Sequence, residues 1–484
     1  MPKIVVLWTD AALFALILAI LIYAWRVVRS PTGRATWSRV AHDAPAMCSA
    51  IVLGVFVVIG VLDSLHFRPA LPPIPDAAPD APVAYSPVTI SVLDVVLDAS
   101  MPAAERSWSA PLAYRLFTKE TELIDGVPVR DFPRLAHGGA HLADTDDWKT
   151  DVMRRAGLGL AGGAAVGAVL VLAACLLLAT QWQLAVGAAW RDIAAGVTKV
   201  PWRPMLLTVF ALCLLIGVVG GLASGYHVMG TDRTGNDVLV QSLKSVRTAL
   251  VIGSLTSVAM LPFALMFGLA AGYFKGWIDD VIQYIYTTLT SIPGILLIAA
   301  CVLMLQVFID NNPERFVTGA QRADVRLFML CVILGVTGWA GLCRLLRAEA
   351  LKLRELEYVQ AASAFGVPHW RIITRHLLPN VMHIVLITLV LEFSSLVLYE
   401  AVLSYLGVGV DPSMNSFGSM IDMARTEMSR DPMIWWSLLS AFAFMLALVL
   451  SANLFADAVR DAFDPRAANL MRMRRVRRAG GARA

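Results

Sequence analysis

Nine long apolar runs dominate the 484-residue sequence and constrain its fold more than any other feature. A helix needs about 20 apolar residues to cross roughly 30 Å of hydrocarbon. Because a backbone finds no hydrogen-bond partner in lipid, each run is expected to be helical. The sequence therefore predicts an all-α integral membrane protein with about nine transmembrane helices. The predicted spans are Val5–Trp25, Ala46–Leu62, Gly157–Thr180, Met205–Ala223, Thr248–Gly272, Val281–Ile309, Leu327–Leu346, Met382–Ser404 and Met433–Phe455.

Composition excludes the soluble classes of protein. Hydrophobic residues make up 58% of the chain and charged residues 16%, against about 45–50% and 25% in soluble domains. The net charge of +4 gives no indication of a nucleic-acid partner. The six cysteines are scattered through apolar runs, so neither a disulfide framework nor a metal site is expected. The first run is longer than a signal-peptide core and arginines follow it, which favours a retained span.

Lysine and arginine are distributed unevenly among the segments that connect the runs. The segments on the side of the carboxyl terminus hold 21 of these residues, and the short segments on the opposite side hold 9. Since positive residues concentrate in cytoplasmic loops, the bias predicts a cytoplasmic carboxyl terminus and an amino terminus outside.

One hydrophilic segment of notable length, residues 66–157, interrupts the apolar pattern. We call it the outer segment. It begins with seven prolines between Pro69 and Pro87, a composition typical of extended, semi-rigid chain. The sequence leaves two interpretations open, a structural spacer or a docking surface.

Small residues recur four positions apart in several runs, at Gly159/Gly163/Gly167, Gly221/Gly225 and Gly268/Gly272. Small faces let helices approach closely in lipid, so these positions predict helix packing.

Two kinds of enzyme site are absent from the sequence. None of the seven lysines follows a glycine, so the chain lacks the Gly-Lys pair of a phosphate-binding loop. His137 and His141 are four apart, but glycines lie between them and no glutamate follows His137, which argues against a metalloprotease. If ATP drives this protein, a partner must bind it.

The longest predicted cytoplasmic loop between spans, residues 347–380, carries a helical pattern. Tyr358, Ala361, Ala362 and Phe365 recur at i, i+3, i+4 and i+7, which predicts that they share one helical face. Gly366 suits a left-handed cap, and Pro368 in the same run suits the start of a second helix. Two short helices are therefore expected at the inner membrane surface.

The same loop contains Gln360-Ala361-Ala362, then Gly366 after three residues, then His376-Leu377-Leu378-Pro379 after nine more. This pattern resembles the EAA loop of bacterial ABC importer permeases. Gln360 stands where the family has its name-giving glutamate.

Further motifs flank the loop in the order that this family shows, and they resemble its dipeptide/oligopeptide/nickel branch. The resemblance covers about residues 205–466. The motifs are Gly230–Asp237, Gly272–Asp279, Glu400–Gly409, Asn415–Gly418 and Asp457–Pro465.

The resemblance implies a six-span core like that of type I ABC importers, preceded by spans outside that core. The expected divisions are extra spans at 1–65, an extracytoplasmic segment at 66–157, an extra span and cytoplasmic linker at 158–204, the permease core at 205–466 with its coupling loop at 347–380, and a basic cytoplasmic tail at 467–484.

The same resemblance implies a transport subunit of the bacterial cytoplasmic membrane, and not an enzyme. The chain would move peptides or related small solutes inward by alternating access while a separate ATPase hydrolyses ATP. Expected partners are cytoplasmic ABC ATPase subunits, a second permease subunit, an extracytoplasmic solute-binding protein and the lipid bilayer. No cofactor and no nucleic acid are implied.

Two groups of site residues follow from the resemblance. The loop expected to couple to the ATPase contains Glu357, Tyr358, Gln360, Ala361, Ala362, Phe365, Gly366, Leu378 and Pro379. The expected outer gate loop contains Gly230, Thr231, Asp232, Gly235 and Asp237. The aspartates of the outer gate loop also suit an ordinary role in turns.

Two carboxylates, Glu392 and Glu400, lie within one predicted span. Ionisable groups inside a membrane are costly and often mark a pathway. They project about 80° apart on an ideal helix, so they need not share a role. A pathway role or a structural partner remains open for each, with the deeper Glu392 the better pathway candidate.

Two rival functions remain at this point. An ion-coupled secondary transporter would move cargo without an ATPase, and a membrane scaffold would move nothing. Neighbouring genes for ATPases, a sister permease and a solute-binding protein would favour the importer.

Overall fold

The computed structural model describes residues 2–71, 84–124, 127–315 and 318–463. The predicted basic tail at 467–484 and most of the proline-rich stretch lie outside these residues. In the described ranges the α-helices are α1 (Trp8–Arg29), α2 (Pro31–Ala41), α3 (Ala44–Asp63), α4 (Val92–Asp98), α5 (Trp148–Trp182), α6 (Val186–Ala195), α7 (Trp202–Ala223), α8 (Val238–Phe274), α9 (Gly276–Ser291), α10 (Gly294–Asp310), α11 (Gly319–Gly338), α12 (Ala340–Arg354), α13 (Glu357–Ala364), α14 (His369–Ile372), α15 (Leu378–Tyr405), α16 (Phe417–Met428) and α17 (Trp436–Phe463).

Short strands accompany the helices on either side of the proline-rich stretch. β1 (Lys3–Val5), β2 (His66–Arg68) and β3 (Ile90–Ser91) form a small antiparallel sheet in that order. β4 (Glu120–Ile124) pairs with β5 (Val127–Asp131) as an antiparallel ladder in which Glu120 faces Asp131. Within the described part of the outer segment, strands and α4 precede the start of α5 at Trp148.

The membrane-spanning helices agree with the prediction in number. Among the described residues, seven helical stretches are long and apolar enough to cross a bilayer: α1, α3, α5, α7, α8, α17 and the run His369–Tyr405. Two helix pairs, α9–α10 and α11–α12, pass the same test but bend by 86° and 42°. Counting each bent pair as one span gives nine, which confirms an all-α membrane protein with about nine spans.

The predicted run Val281–Ile309 is the one that departs most from a straight span. α9 ends at Ser291 and α10 begins at Gly294. The residue before a proline is pushed out of the helical region by the proline ring, and Ile292 is extended at φ −83°, ψ 132° ahead of Pro293. The proline therefore explains the break.

The chain folds into two compact units that each combine separated stretches. The first contains 2–6, Ala41–Thr248 and Asn415–Ser451, and the second contains Leu7–Val40, Ala249–Met414 and 452–463. The bounds of these two units differ from the five divisions expected from the sequence. Those divisions remain predictions.

In the first unit, α5 and α7 pack backbone to backbone. A Cβ added at Gly159 would lie 2.3 Å from the carbonyl oxygen of Gly217, and one added at Gly163 would lie 2.4 Å from the carbonyl oxygen of Cys213. No real Cβ fits at such distances, so only glycine permits this approach. The small-residue pattern on α5 is thus confirmed as a packing face.

We expect Gly159→Ile to separate α5 from α7, because the added side chain overlaps the α7 backbone. Overpacking of this kind costs about 1–3 kcal/mol. The matched control is Gly162→Ile, since a Cβ at Gly162 meets nothing within 4 Å. A clearly lower melting temperature of the detergent-solubilised protein for the first variant alone is expected, and equal melting temperatures would contradict the packing.

In the second unit, a carboxylate of α11 caps the amino end of α1. Asp324, which is 1% exposed, accepts hydrogen bonds from the Trp8 amide at 2.7 Å and from the Thr9 amide at 3.2 Å. The Thr9 hydroxyl donates to the same carboxylate. The first amides of a helix lack partners within the helix, so Asp324 fixes this extra span against α11.

Candidate functional site

The coupling loop, residues 347–380, forms two short helices joined by a left-handed glycine, as the sequence predicts. α13 is followed by a turn in which Gly366 has φ +73°, and α14 begins after Pro368. Phe365 caps α13, and its amide still donates to the Ala361 carbonyl oxygen at 2.9 Å. A π-helical turn at Ile373–Leu377 then leads into α15.

The outward face of the loop is largely exposed. Phe365 is 87% exposed and Trp370 is 75% exposed. Ala362 is half-buried, and so is Leu378 at the start of α15. The remaining predicted coupling residues are all exposed: Glu357, Tyr358, Gln360, Ala361, Gly366 and Pro379.

Three apolar residues anchor the loop, and the sequence analysis assigned none of them this role. Val359 is 2% exposed, and Ile372 and Leu377 are fully buried. They join a hydrophobic cluster with Leu346 of α12 and Tyr273 of α8. Each buried aliphatic side chain stabilises the packing by about 1.5–3 kcal/mol, so the loop is held firmly from within the chain.

The turn between α8 and α9 holds the same loop through polar contacts. The Arg354 Nη1 atom donates to the Tyr273 carbonyl oxygen at 2.8 Å, and the Tyr273 hydroxyl lies 2.8 Å from His369 Nδ1. Lys275 Nζ donates to Glu355 Oε1 at 2.8 Å. Through these contacts, residues of the motif at Gly272–Asp279 hold the coupling loop in position.

An ion pair extends this connection from α9 to α12. Arg347 donates to both oxygens of Asp279, at 2.5 and 2.7 Å. Such two-pronged pairs fix geometry as well as charge. A displacement of the loop would therefore move α9 and α12 with it.

The outer gate loop, Gly230–Asp237, is a tight turn stabilised by its own aspartates. Asp232 Oδ1 accepts the amides of Thr234 at 2.8 Å and Asn236 at 2.9 Å. Asp237 Oδ1 accepts the Leu239 amide at the start of α8 at 2.7 Å. Gly235 has φ +79°, a conformation that glycine adopts without strain. The turn role expected for these aspartates is confirmed.

The outer segment packs directly on this loop, a contact that the sequence did not reveal. The Glu105 amide donates to the Gly235 carbonyl oxygen at 2.9 Å, and a Cβ at Gly235 would lie 1.9 Å from the Glu105 carbonyl oxygen. The Thr231 hydroxyl donates to the Ser107 carbonyl oxygen at 2.8 Å. The outer segment therefore contacts the outer gate loop directly, and its role as a spacer or a docking surface stays a prediction.

Aromatic side chains add contacts between the outer segment, the outer gate loop, α16 and α17, and we call this set of contacts the outer cluster. Trp108 Nε1 donates to Glu427 Oε1 on α16 at 2.8 Å. Trp436 Nε1 at the start of α17 donates to the Thr231 carbonyl oxygen at 3.0 Å, and its ring meets that of Phe117 edge-on at 4.9 Å. The outer segment therefore ties the gate loop to α16 and α17.

A buried histidine lies at the centre of the cluster. His227 is fully buried, with Nδ1 2.7 Å from Asp237 Oδ2 and Nε2 3.5 Å from Glu105 Oε1. Glu105 also accepts the backbone amides of residues 136–138 at 2.8–2.9 Å. The imidazole therefore lies between two carboxylates, which favours its charged form.

Contacts in this cluster raise the pKa of His227 and lower the pKa of Glu105. Burial lowers the pKa of His227, but the hydrogen bond with Asp237 and the charges of Asp237 and Glu105 outweigh it and raise this pKa to about 9. Burial raises the pKa of Glu105, but the contact with His227 and the three amides lower it to about 2. Both groups are therefore charged near pH 7.

We expect the outer cluster to lose stability as the pH rises from about 6.5 to 9. The folded-state pKa of His227 lies above the ordinary value of 6.5, so its stabilisation is complete below 6.5 and disappears through 9. The stabilisation lost over this pH range is on the order of 3 kcal/mol. The hydrogen-exchange protection factors of the amides at 225–237, which compare exchange with that of the unfolded chain, should fall across this range.

Two variants isolate the histidine in that experiment. His227→Gln should exchange faster at pH 6 and approach the wild type at pH 9, because it never carries the charge. The exposed His137 serves as the control, and His137→Gln should keep the wild-type profile. Parallel profiles for wild type and His227→Gln would contradict the assignment.

The two carboxylates of α15 have different environments. Glu400 is 1% exposed, and its Oε1 accepts the Ser404 hydroxyl at 2.6 Å, so a structural partner is present. Glu392 is half-buried and lines a cavity of about 340 Å³ with residues of α9, α10 and α11. The pathway role of either residue stays a prediction.

Comparison with known proteins identifies the family. Residues 264–469, which include the coupling loop and both carboxylates, match the family described as binding-protein-dependent transport system inner membrane component. The chain is 30% identical to the oligopeptide transport system permease protein OppC of Haemophilus influenzae over 242 residues, 50% of this chain and 71% of that protein. It is 30% identical to OppC of Mycobacterium bovis over 51% of this chain and 78% of that protein.

A third relative is named for a different cargo. The glutathione transport system permease protein GsiD of Pectobacterium atrosepticum is 30% identical over 50% of this chain and 74% of that protein. The three matches extend over 242, 246 and 243 residues of this chain, much more than any single motif. The chain belongs to the inner-membrane permease subunits of binding-protein-dependent ABC importers, in the peptide-transport branch.

Proposed function

We propose that the chain moves peptides or related small solutes inward by alternating access, with force supplied at the coupling loop by a separate ABC ATPase. Support for the cargo class comes from the relatives, which are named for oligopeptide and glutathione transport. Support for a separate ATPase comes from the sequence, which has no Gly-Lys pair for a phosphate-binding loop.

One observation carries the coupling role. Phe365 and Trp370 present large aromatic rings to the outside, whereas Val359 and Ile372, which adjoin them in the same loop, are buried. Exposed aromatic residues on a firmly held surface are typical anchors of protein interfaces. The loop is thus suited to insert into a cleft of another protein.

The internal contacts of the loop suit it to transmit movement. ATP-driven closure of two ATPases would draw two such loops together. The Arg347–Asp279 ion pair and the Tyr273 contacts would pass that displacement to α12, α9 and α8. Because nucleotide binds preferentially to the closed ATPases, it would shift the permease subunits between their inward-open and outward-open states.

The remaining partners and the orientation complete the proposal. A second permease subunit would face this one across the pathway, and an extracytoplasmic solute-binding protein would deliver cargo near the outer gate loop. The bias of Lys and Arg supports a cytoplasmic carboxyl terminus and an amino terminus outside. The coupling loop would then face the cytoplasm.

We expect Gly366→Val to abolish both substrate uptake and co-purification of the ATPase. Gly366 has φ +73°, which a β-branched residue adopts only with strain, so the turn that presents Phe365 would be displaced. A Cβ at this position meets nothing within 4 Å, so the core should stay folded. Uptake into proteoliposomes and the ATPase retained on affinity-purified protein are the measurements.

Gly366→Asn is the matched control. Asparagine tolerates left-handed backbone better than other side chains, and it adds bulk at the same exposed position. It should keep most of the uptake and the bound ATPase. Full activity of the valine variant would refute the coupling role of this turn.

A further inference from the structure

A cavity of about 340 Å³ lies among α9, α10, α11 and α15, beside the break at Pro293. Its polar lining comes from Thr290, Thr337, Ser395, Tyr399 and Glu392, and the rest is aliphatic or glycine. Helix breaks at membrane depth persist only where protein or a water-filled cavity surrounds them. Ile292 and Gly294, on either side of Pro293, are exposed and line this cavity, so the opened backbone borders it.

Glu392 has no partner of its own in this space. Within the described part of the chain, its carboxylate makes no hydrogen bond and no ion pair. The contrast with Glu400 on the same helix is sharp, because Glu400 is buried and accepts the Ser404 hydroxyl. A carboxylate half-buried in a span without a partner is costly, so a partner from outside the chain would stabilise it.

The charge of the cavity decides which partner fits. The described residues that line it include no lysine, arginine or histidine. The carboxyl end of α9 and the amino end of α10 both border it and carry opposite partial charges, so they largely offset each other. The full negative charge of Glu392 remains, and it favours a cation over an anion.

The other polar groups suit an ammonium group. The Thr290 hydroxyl donates to the Tyr286 carbonyl oxygen, and the Thr337 hydroxyl donates to that of Ile333, both at 2.8 Å. Their donor capacity is thus used, which leaves their oxygen lone pairs as acceptors. An ammonium brings three donors and no acceptor, so it complements this lining.

We propose that Glu392 and this cavity receive the α-ammonium group of a peptide cargo during its passage. The inference rests on the proposed transport function and adds to it the end of the cargo that is recognised. At about 340 Å³, the cavity is at the small end of ligand sites, so it accommodates one end of a peptide and not a whole oligopeptide.

The test compares two cargoes that differ only in this charge. Full assemblies with the ATPase, the partner permease and one binding protein are reconstituted in proteoliposomes. Uptake is measured for a tripeptide with a free amino terminus and for its N-acetylated form, at equal occupancy of the binding protein. Glu392→Gln should lower the uptake ratio of free to acetylated peptide at least tenfold, and Glu392→Asp should keep most of that ratio.

Glu314→Gln is the charge-matched control, because Glu314 is exposed and lies outside both the cavity lining and the coupling loop. It should leave the ratio unchanged. An unchanged ratio in Glu392→Gln would overturn the inference, and so would an equal loss of both cargoes in the glutamine and aspartate variants, which would indicate a proton or packing role. Failure of the wild type to take up either peptide would instead overturn the proposed function.

Discussion

Hydrocarbon offers no hydrogen-bond partner to a peptide backbone, and the described spans follow from this constraint. Each long helix satisfies its own backbone, and α5 and α7 approach closely only because Gly159 and Gly163 leave room. The departure at Pro293 is therefore informative, since an opened helix must face protein or water. The break borders the same cavity as Glu392. The interrupted helix and the carboxylate within a span therefore lie at the same location.

The coupling loop combines a buried inner face with an exposed outer one. Val359, Ile372 and Leu377 fix the inner face, and polar contacts with the α8–α9 turn hold its position. Phe365 and Trp370 remain exposed. A loop that is buried on its inner face and exposed on its outer face suits the coupling role proposed for it.

The sequence predicts features that depend on local chemistry. The left-handed turn at Gly366, the start of α14 after Pro368 and the close-packed glycines of α5 all follow from residue type and short spacing. The motif order also leads to the right family. The break at Pro293 has a local signal as well, but the apolar residues on both sides concealed it within one apparent span.

Other features depend on contacts between distant parts of the chain, and no short-range pattern reveals them. The packing of Glu105 against Gly235 and the position of His227 between two carboxylates are of this kind. So is the capping of α1 by Asp324. The anchors of the coupling loop, such as Val359, look in sequence like any apolar residue of a short helix, and only tertiary packing distinguishes them.

The most direct measurement of the central claim places a photo-crosslinking amino acid at position 365 of the full chain in its native membrane. The side chain at this position is 87% exposed. Irradiation should link it to a nucleotide-hydrolysing subunit, with a yield that changes when a non-hydrolysable ATP analogue is added. The absence of any such link would contradict the account.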